Sequence, residues 1–489
     1  MKSFIKKNPL LILIVIIGLY LRINNYEALY YHAHDQDLSA WIVKDILEGH
    51  IRLIGQQTSQ LGVFIGPAFY YALIPFYLLA NMEPVGGIFL VTIISLLTLL
   101  SYYYVLSKIF GKTAGLVAAF LYAINFSIIL TDREVVPTSP VILWSVWFLY
   151  DLWLIYNAKF KRGFLFLGIL IGFIWHINLA LVLLSPLAIF SLIFSKTKPK
   201  IVHLVYLLVP LLILTSPFLV FELRHGFIQT KAIISNSFVQ DSSITLLSKV
   251  DHVLQLASKN ASRLFLGEFL YLNQRLIMYF MLVLLAFLKY KNLISKQLTF
   301  IFYGWLVLFL GFFVINKINL SEYYLNGMNI VWISIASLAI SELLKLKKIK
   351  TYVLVSLLLF GTLNFYVYYS EPINKSGYLE KKELVLYIKE DARAHNYPCV
   401  SVSYITKPGF DFGYRYLFYL QKMHVNRPAS GSPVYTIVFP HSMVDRIDKS
   451  FGALGLIFPD YEKYDDKRVK ISCSGDNSNE VEPLFGYTE

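Results

Sequence analysis

The chain has 489 residues, 56% hydrophobic and only 15% charged, with a net charge of +13 and a mean hydropathy of +0.57. A soluble domain carries about 25% charged residues, so this balance excludes a soluble globular protein and indicates an integral membrane protein. The excess Lys and Arg lies in short loops between apolar runs, the usual bias of membrane proteins, which argues against a nucleic-acid partner.

The 35 Tyr and 37 Phe suit a chain with many membrane–water boundaries. The N-terminus reads MKSFIKKNPLLILIVIIGLYLRINNY. Its basic start and apolar core resemble a signal peptide, but no small-x-small cleavage site follows. It is read as an uncleaved first span, with Arg22 snorkelling outward from a short apolar run.

Next comes YYHAHDQDLSAWIVKDILEGH, residues 30–50, with two carboxylates spaced D-x-D. Asp35 and Asp37 suit a general base or a metal ligand. Equally, an Asp before SAWIVKDILEG would cap a helix starting near Leu38. The following GQQTSQLGVFIGPAFYYALIPFYLL is punctuated by Gly and Pro. Its apolar piece 67–80 is too short to cross a bilayer and is read as a helix on the outer leaflet.

Runs of about 17–25 apolar residues mark crossing helices. Candidates are 86–107, 114–130, 138–156, 201–221, 298–316, 323–341 and 351–369, with a shorter run at 276–288. The stretch 163–194 is too long for one helix and is split at the polar break Trp175-His176-Ile177-Asn178. With the first span, eleven result. Basic loops such as Lys108/Lys112, Lys159/Lys161/Arg162 and Lys345/Lys347/Lys348/Lys350 are placed in the cytoplasm. The N-terminus is then cytoplasmic and the C-terminal segment extracytoplasmic, in a multi-pass cell-membrane protein. One outer face collects residues 25–85, Asp132-Arg133-Glu134, the His176 turn, loop 222–275 and Glu322-Tyr323-Tyr324.

Residues 1–370 form the expected transmembrane domain and 371–489 a small extracytoplasmic α/β domain. In the latter, KKELVLYIKEDARAHN and YRYLFYLQKM read as helical. CVSVSYI, VYTIVF and RVKISC read as extended. The two cysteines, Cys399 and Cys473, lie there; an oxidising location permits a disulfide, and the sequence leaves open whether it forms. No CxxC pair exists, which argues against a Cys-based zinc site.

The residues on the outer face suggest chemistry. A carboxylate in a partly buried apolar cleft can act as a base. Arginines beside it suit a phosphate. Arg133, Arg224 and Lys231 are the cationic candidates; Glu134, Glu222 and His225 accompany them.

Taken in order, HDQDLSAWIVKDILEGH, TDREVVPTSPVILW, WHINLALVLLSPL, SPFLVFELRHGF and EYYLNGMNIVWIS resemble the lipid-linked-sugar glycosyltransferases of the GT-C fold. The likeness is greatest to relatives of dolichyl-phosphate-mannose protein mannosyltransferases and aminoarabinose transferases. It runs from about residue 20 to 370; the C-terminal segment carries no matching motif. The resemblance implies a helical GT-C membrane fold and an inverting transfer from a polyprenyl-phosphate sugar to a protein, lipid or glycan acceptor outside the cell. It implies Asp35 as the general base. It also implies substrate contacts for Arg133, for His176 more loosely, and for Tyr323 and Tyr324. For His176 a satisfied polar break, and for the tyrosines an interfacial belt, remain open beside those roles. Asp37 has no firm counterpart: a helix cap is favoured, and a divalent metal partner is the alternative. The competing classes are an oligosaccharide ligase using a lipid pyrophosphate, a transporter or flippase, and a scaffold. A transporter would carry ionisable groups at mid-membrane and repeated halves; Asp151 is the exception in otherwise nearly uncharged spans.

Overall fold

The computed structural model describes residues 8–238, 245–265, 274–316, 320–372 and 375–481. Helix α1, Pro9–Ile23, opens the chain, and α2, His34–Leu47, carries the two aspartates. A short hairpin bridged at Gln57 and Phe64 leads into α3, Ala68–Leu79. The bundle continues with α4 Gly87–Phe110, α5 Lys112–Ile124, α6 Phe126–Asp132, α7 Val141–Tyr156 and α8 Phe160–Ile177. A 3-10 stretch then precedes α9 Pro186–Ile193, followed by α10 His203–Arg224, α11 Ile228–Phe238, α12 Leu246–Arg263, α13 Gln274–Tyr290 and α14 Lys296–Ile315. A second 3-10 turn, Glu322–Met328, feeds α15 Asn329–Leu343, and α16 Lys350–Ser370 closes the bundle.

Each of the eleven segments read as a span is helical. Among the described residues six helices are long and apolar enough to cross a bilayer, or seven if α5 and α6 count as one. The segment 114–130 is not one rod: α5 and α6 meet at a bend of 69°. Asn125 makes that corner. It leaves the helical backbone region, and its Oδ1 accepts from the Ile128 N–H at 2.9 Å. A side chain that satisfies an orphan N–H starts a new helix there. The break expected at Trp175–Asn178 is present, with Asn178 capping the next turn.

Arg22 corrects the sequence reading. It does not snorkel; it is fully buried. Its Nη2 pairs with Asp132 at 2.6 Å, and Nη1 donates to the Ala123 carbonyl at 2.9 Å. Tyr122 and Ser95 complete the hydrogen bonding of Asp132. A buried charge persists where a countercharge and hydrogen bonds surround it.

After residue 375, α17 Tyr378–Ala394 precedes a five-stranded sheet in the order β2-β1-β3-β5-β4. Strands β1 Val400–Thr406, β2 Val425–Asn426 and β3 Val434–Phe439 pair in parallel, and β4 Lys449–Phe451 and β5 Leu454–Ile457 add on antiparallel. Helix α18, Arg415–Leu420, follows β1. RVKISC is not extended. It falls in α19, Asp466–Ser472, because the Asp465 Oδ1 caps the Arg468 N–H at 2.9 Å. Cys399 and Cys473 are bonded, with their Cα atoms 5.5 Å apart. The core of this domain does not stop at residue 371: Leu384, Tyr416 and Leu417 share one buried cluster with Trp41, Leu73 and Tyr77 of α2 and α3.

Candidate active site

Helix α2 lies between the bundle and the C-terminal domain, and its first turn starts earlier than expected. Gln36, not an aspartate, closes that turn: its Oε1 accepts from the Ala33 N–H at 3.0 Å. Residues two apart on a helix do not share a face. Asp35 therefore turns to the bundle side, and Asp37 to the C-terminal domain.

Asp37 is a cap, but of another helix. It is 3% exposed, and its Oδ1 accepts the Tyr416 N–H of α18 at 3.1 Å. Burial pushes its carboxyl up to about 6, against the opposing pull of that hydrogen bond and the nearby Lys381. The D-x-D pair does not converge as metal ligands, and among the described residues no cluster of three or more His, Cys, Asp or Glu is grouped for a metal.

Asp35 is half-buried and accepts from Gln56 Nε2 at 3.2 Å. Gln56 is itself gripped by Tyr70, whose hydroxyl accepts from the Gln56 N–H at 3.2 Å and donates to its Oε1 at 3.1 Å. This places the hairpin 55–66 directly over Asp35. The hairpin needs its glycine at 66, where a Cβ would meet His176 Nδ1 at 2.3 Å. His176 is buried; its Nδ1 accepts from the Ala68 N–H at 3.3 Å, and Nε2 contacts the Leu214 carbonyl at 2.8 Å. The structure thus uses His176 as a joint between α3, α8 and α10.

Glu134 keeps an open surface yet sits deep among protein atoms; that burial, and then the charge of Asp35, push its carboxyl up to about 7. Tyr31 and Tyr323 lie within the field of Asp35, and Tyr31 also within that of Glu134. Tyr324 meets Ser59 of the hairpin at 3.4 Å, with its ring 4.3 Å from Tyr323. Of the expected site residues, Glu134 and Tyr323 therefore lie within reach of the Asp35 charge, and Tyr324 stands beside Tyr323 against the hairpin.

Arg133 is not aimed at a carboxylate. It is 5% exposed, and its Nη2 donates to the Leu21 and Asn24 carbonyls at 2.7 and 2.8 Å and to the Tyr368 hydroxyl at 2.7 Å. The last carbonyls of a helix have no partner within it and attract a cation, so Arg133 closes the end of α1. Glu222 is likewise occupied. It is buried and accepts from the Gln229 and Thr230 N–H groups, each at 3.0 Å, capping α11. Arg224, His225 and Lys231 are exposed; His225 stacks on Phe221 at 4.2 Å. Arg224 and His225 precede α11 and Lys231 lies within it; the Gln229 Oε1 of that helix accepts the Phe64 N–H of the hairpin at 2.8 Å.

Sequence reasoning missed Gln56, Tyr70 and Lys381. The glycines around Gln56 signalled a tight loop, but nothing local revealed its partner. Lys381 is hidden in a charged helical run. In the fold its Nζ donates to the His32 carbonyl at 2.7 Å and the Phe412 carbonyl at 2.8 Å, and burial brings it down to about 8. Phe412 meets the ring of His34, the neighbour of Asp35, at 4.7 Å. The C-terminal domain thus reaches the edge of the cleft.

Residues 65–221 match the family model of dolichyl-phosphate-mannose-protein mannosyltransferases. Over the whole molecule the chain is similar to ArnT from Cupriavidus metallidurans bound to undecaprenyl phosphate, with a TM-score of 0.61 at 10% identity, covering 92% of this chain and 98% of that one. The fold is that of the GT-C glycosyltransferases. The apo state of the same ArnT gives a TM-score of 0.60 at 11% identity, covering 94% and 99% of the two chains. A looser likeness, TM-score 0.46 at 15% identity, covers 88% of this chain and 67% of the Archaeoglobus fulgidus oligosaccharyltransferase. No curated protein matches the chain by sequence. The GT-C chain is a multi-pass membrane protein with a small sheet domain at its C-terminus, and the expected class, a membrane glycosyltransferase, agrees with both fold and family model.

Proposed function

We propose that this GT-C protein transfers a sugar from a polyprenyl-phosphate donor to an acceptor hydroxyl on the extracytoplasmic side. The observation that supports the reading is that Glu134, Tyr31 and Tyr323 all lie within the field of Asp35 beneath the 55–66 hairpin, in a GT-C fold. Asp35 takes the proton of the acceptor hydroxyl. The acceptor oxygen forms a bond to the anomeric carbon as the bond from that carbon to the donor phosphate breaks. The electron pair leaves with the phosphate, and one displacement inverts the configuration. Gln56 is a positioning residue that orients Asp35.

The donor phosphate needs cations. Arg133 is engaged with backbone carbonyls, so Arg224 and Lys231, exposed beside the hairpin, take that role. Cations at the leaving group stabilise the charge that develops there. A 350 Å3 apolar cavity lies between α3, α4, α7 and α8, lined by Phe69, Leu90, Trp144 and Phe173 and closed at one point by His176. It suits the prenyl chain of the donor. The ArnT fold was solved with undecaprenyl phosphate, a lipid of this class.

Asp35→Asn in a membrane assay with lipid-linked sugar tests the base. The expected loss is about 10²–10⁴ in rate, the usual worth of a general base. Activity within a few-fold of wild type would remove the assignment.

A further inference from the structure

A second cavity lies far from Asp35. Helix α4 starts beside the C-terminal domain and runs 24 residues, about 36 Å, to Phe110. At that far end a 230 Å3 cavity is lined by Phe110, Trp153, Tyr156, Asn157, Ser295 and Gln297, together with the aliphatic Ile109, Leu293 and Ile301. The lining is mixed: amide, hydroxyl and indole groups stand among hydrocarbon side chains. Gln297 makes no side-chain hydrogen bond among the described residues.

Two lysines lie over rings that line it, and a third stands between two of its lining residues in sequence. Lys159 Nζ lies 5.0 Å from the Trp153 ring, and Lys196 Nζ lies 6.0 Å from the Tyr156 ring, both of which line the cavity. Lys296 adjoins Ser295 at the start of α14. All three are exposed, and none has an acidic partner among the described residues. The volume is below the range of about 300–1,000 Å3 that holds a drug-sized molecule, so it fits a headgroup and not a whole ligand. Basic pockets between membrane helices recognise anionic headgroups by this combination of cations and a mixed polar and apolar lining.

We propose that this cavity binds the phosphate headgroup of an anionic glycerophospholipid from the adjoining leaflet. The lysines grip the phosphate, Gln297 and Ser295 take the glycerol oxygens, and the acyl chains follow the aliphatic side chains. The site is independent of the sugar-transfer reading and stands or falls without it.

The test uses the full-length protein in phosphatidylcholine nanodiscs, with Trp153 emission isolated as the difference from Trp153→Phe. Lipids brominated near the head of the acyl chain are titrated in, either phosphatidylglycerol or phosphatidylcholine. Phosphatidylglycerol is expected to reach half-maximal quenching at a mole fraction at least about fivefold lower. Each of Lys159→Gln, Lys196→Gln and Lys296→Gln should weaken that preference about fivefold at most, and all three together should abolish it. These side chains are exposed, and elution as a monodisperse peak checks that the variants fold. Equal quenching by the two lipids, or a preference that survives the triple substitution, overturns the proposal. Reversal of the quenching by low-millimolar sn-glycerol 3-phosphate would make the ligand a soluble phosphate and overturn the lipid assignment.

Discussion

Glu134 and Asp35 are two carboxylates within one another's field, and in the proposed mechanism they take different tasks. Like charges at close range and a shared low-dielectric surround keep a proton on one member of such a pair. Glu134 is the one pushed up to about 7. In the proposed mechanism the protonated form donates a hydrogen bond to a phosphate or sugar oxygen, and above about pH 7 it loses that proton and adds a repelling charge. Transfer is therefore expected to fall as pH rises through about 7. Glu134→Gln keeps a neutral donor and should flatten this alkaline limb while leaving the neutral rate within about tenfold; the pH profile of the initial rate measures it. The sequence showed both carboxylates but not their pairing, since they stand almost a hundred positions apart. It also read Arg133 and Glu222 as free for substrate, because a sequence does not display the orphan carbonyls and N–H groups that occupy them.

Local rules decided most elements. Apolar run length foretold the membrane helices and the short α3, whereas the hairpin at Gln57 and Phe64 was not foreseen. Two elements departed from expectation for local reasons: the Asn125 cap broke 114–130, and the Asp465 cap made a helix of RVKISC. That second helix ends at Cys473, which the disulfide ties to Cys399 at the head of β1, across 74 positions. Closing a loop of this length removes about 4 kcal/mol of unfolded-state entropy in the chain-entropy account. Cys473→Ser should accordingly speed proteolysis of the C-terminal domain and raise hydrogen exchange in α19 and β2. Sugar transfer should change by no more than a few-fold, because Cys473 touches nothing near the cleft. Collapse of transfer with unchanged exchange would contradict a purely structural tether.

At the scale of the molecule, the C-terminal domain is part of the cleft's scaffold. Its core runs on into α2 and α3. The Lys381 ammonium bonds a carbonyl on each side of the junction, and Asp37 caps a helix across it. Lys382 adds an ion pair to Glu83 at 2.8 Å. Removing one partner of a buried charge cluster costs about 3–5 kcal/mol, because the remaining polar groups lose their match. Lys381→Met should therefore loosen the domain from α2, exposing residues around 375 to protease, and lower transfer at least tenfold with helical content retained. Adding Asp37→Asn removes the stranded charge and should recover part of the loss. A double variant no better than the single one would show that the two groups are not coupled.

By itself the sequence determined that this chain carries membrane-length apolar helices and where most of them run, and it led to an expected side for each polar cluster. Those properties follow from hydrophobic run length, loop charge and capping chemistry, all of which act along a single contiguous stretch of chain. Only the tertiary structure decided which polar groups meet. Burying Arg22 against Asp132, engaging Arg133 at the end of α1 and facing Asp35 with Glu134 each depend on contacts made by distant stretches of chain. A low-dielectric interior assigns partners by proximity in space, and the linear order of residues does not contain that distance.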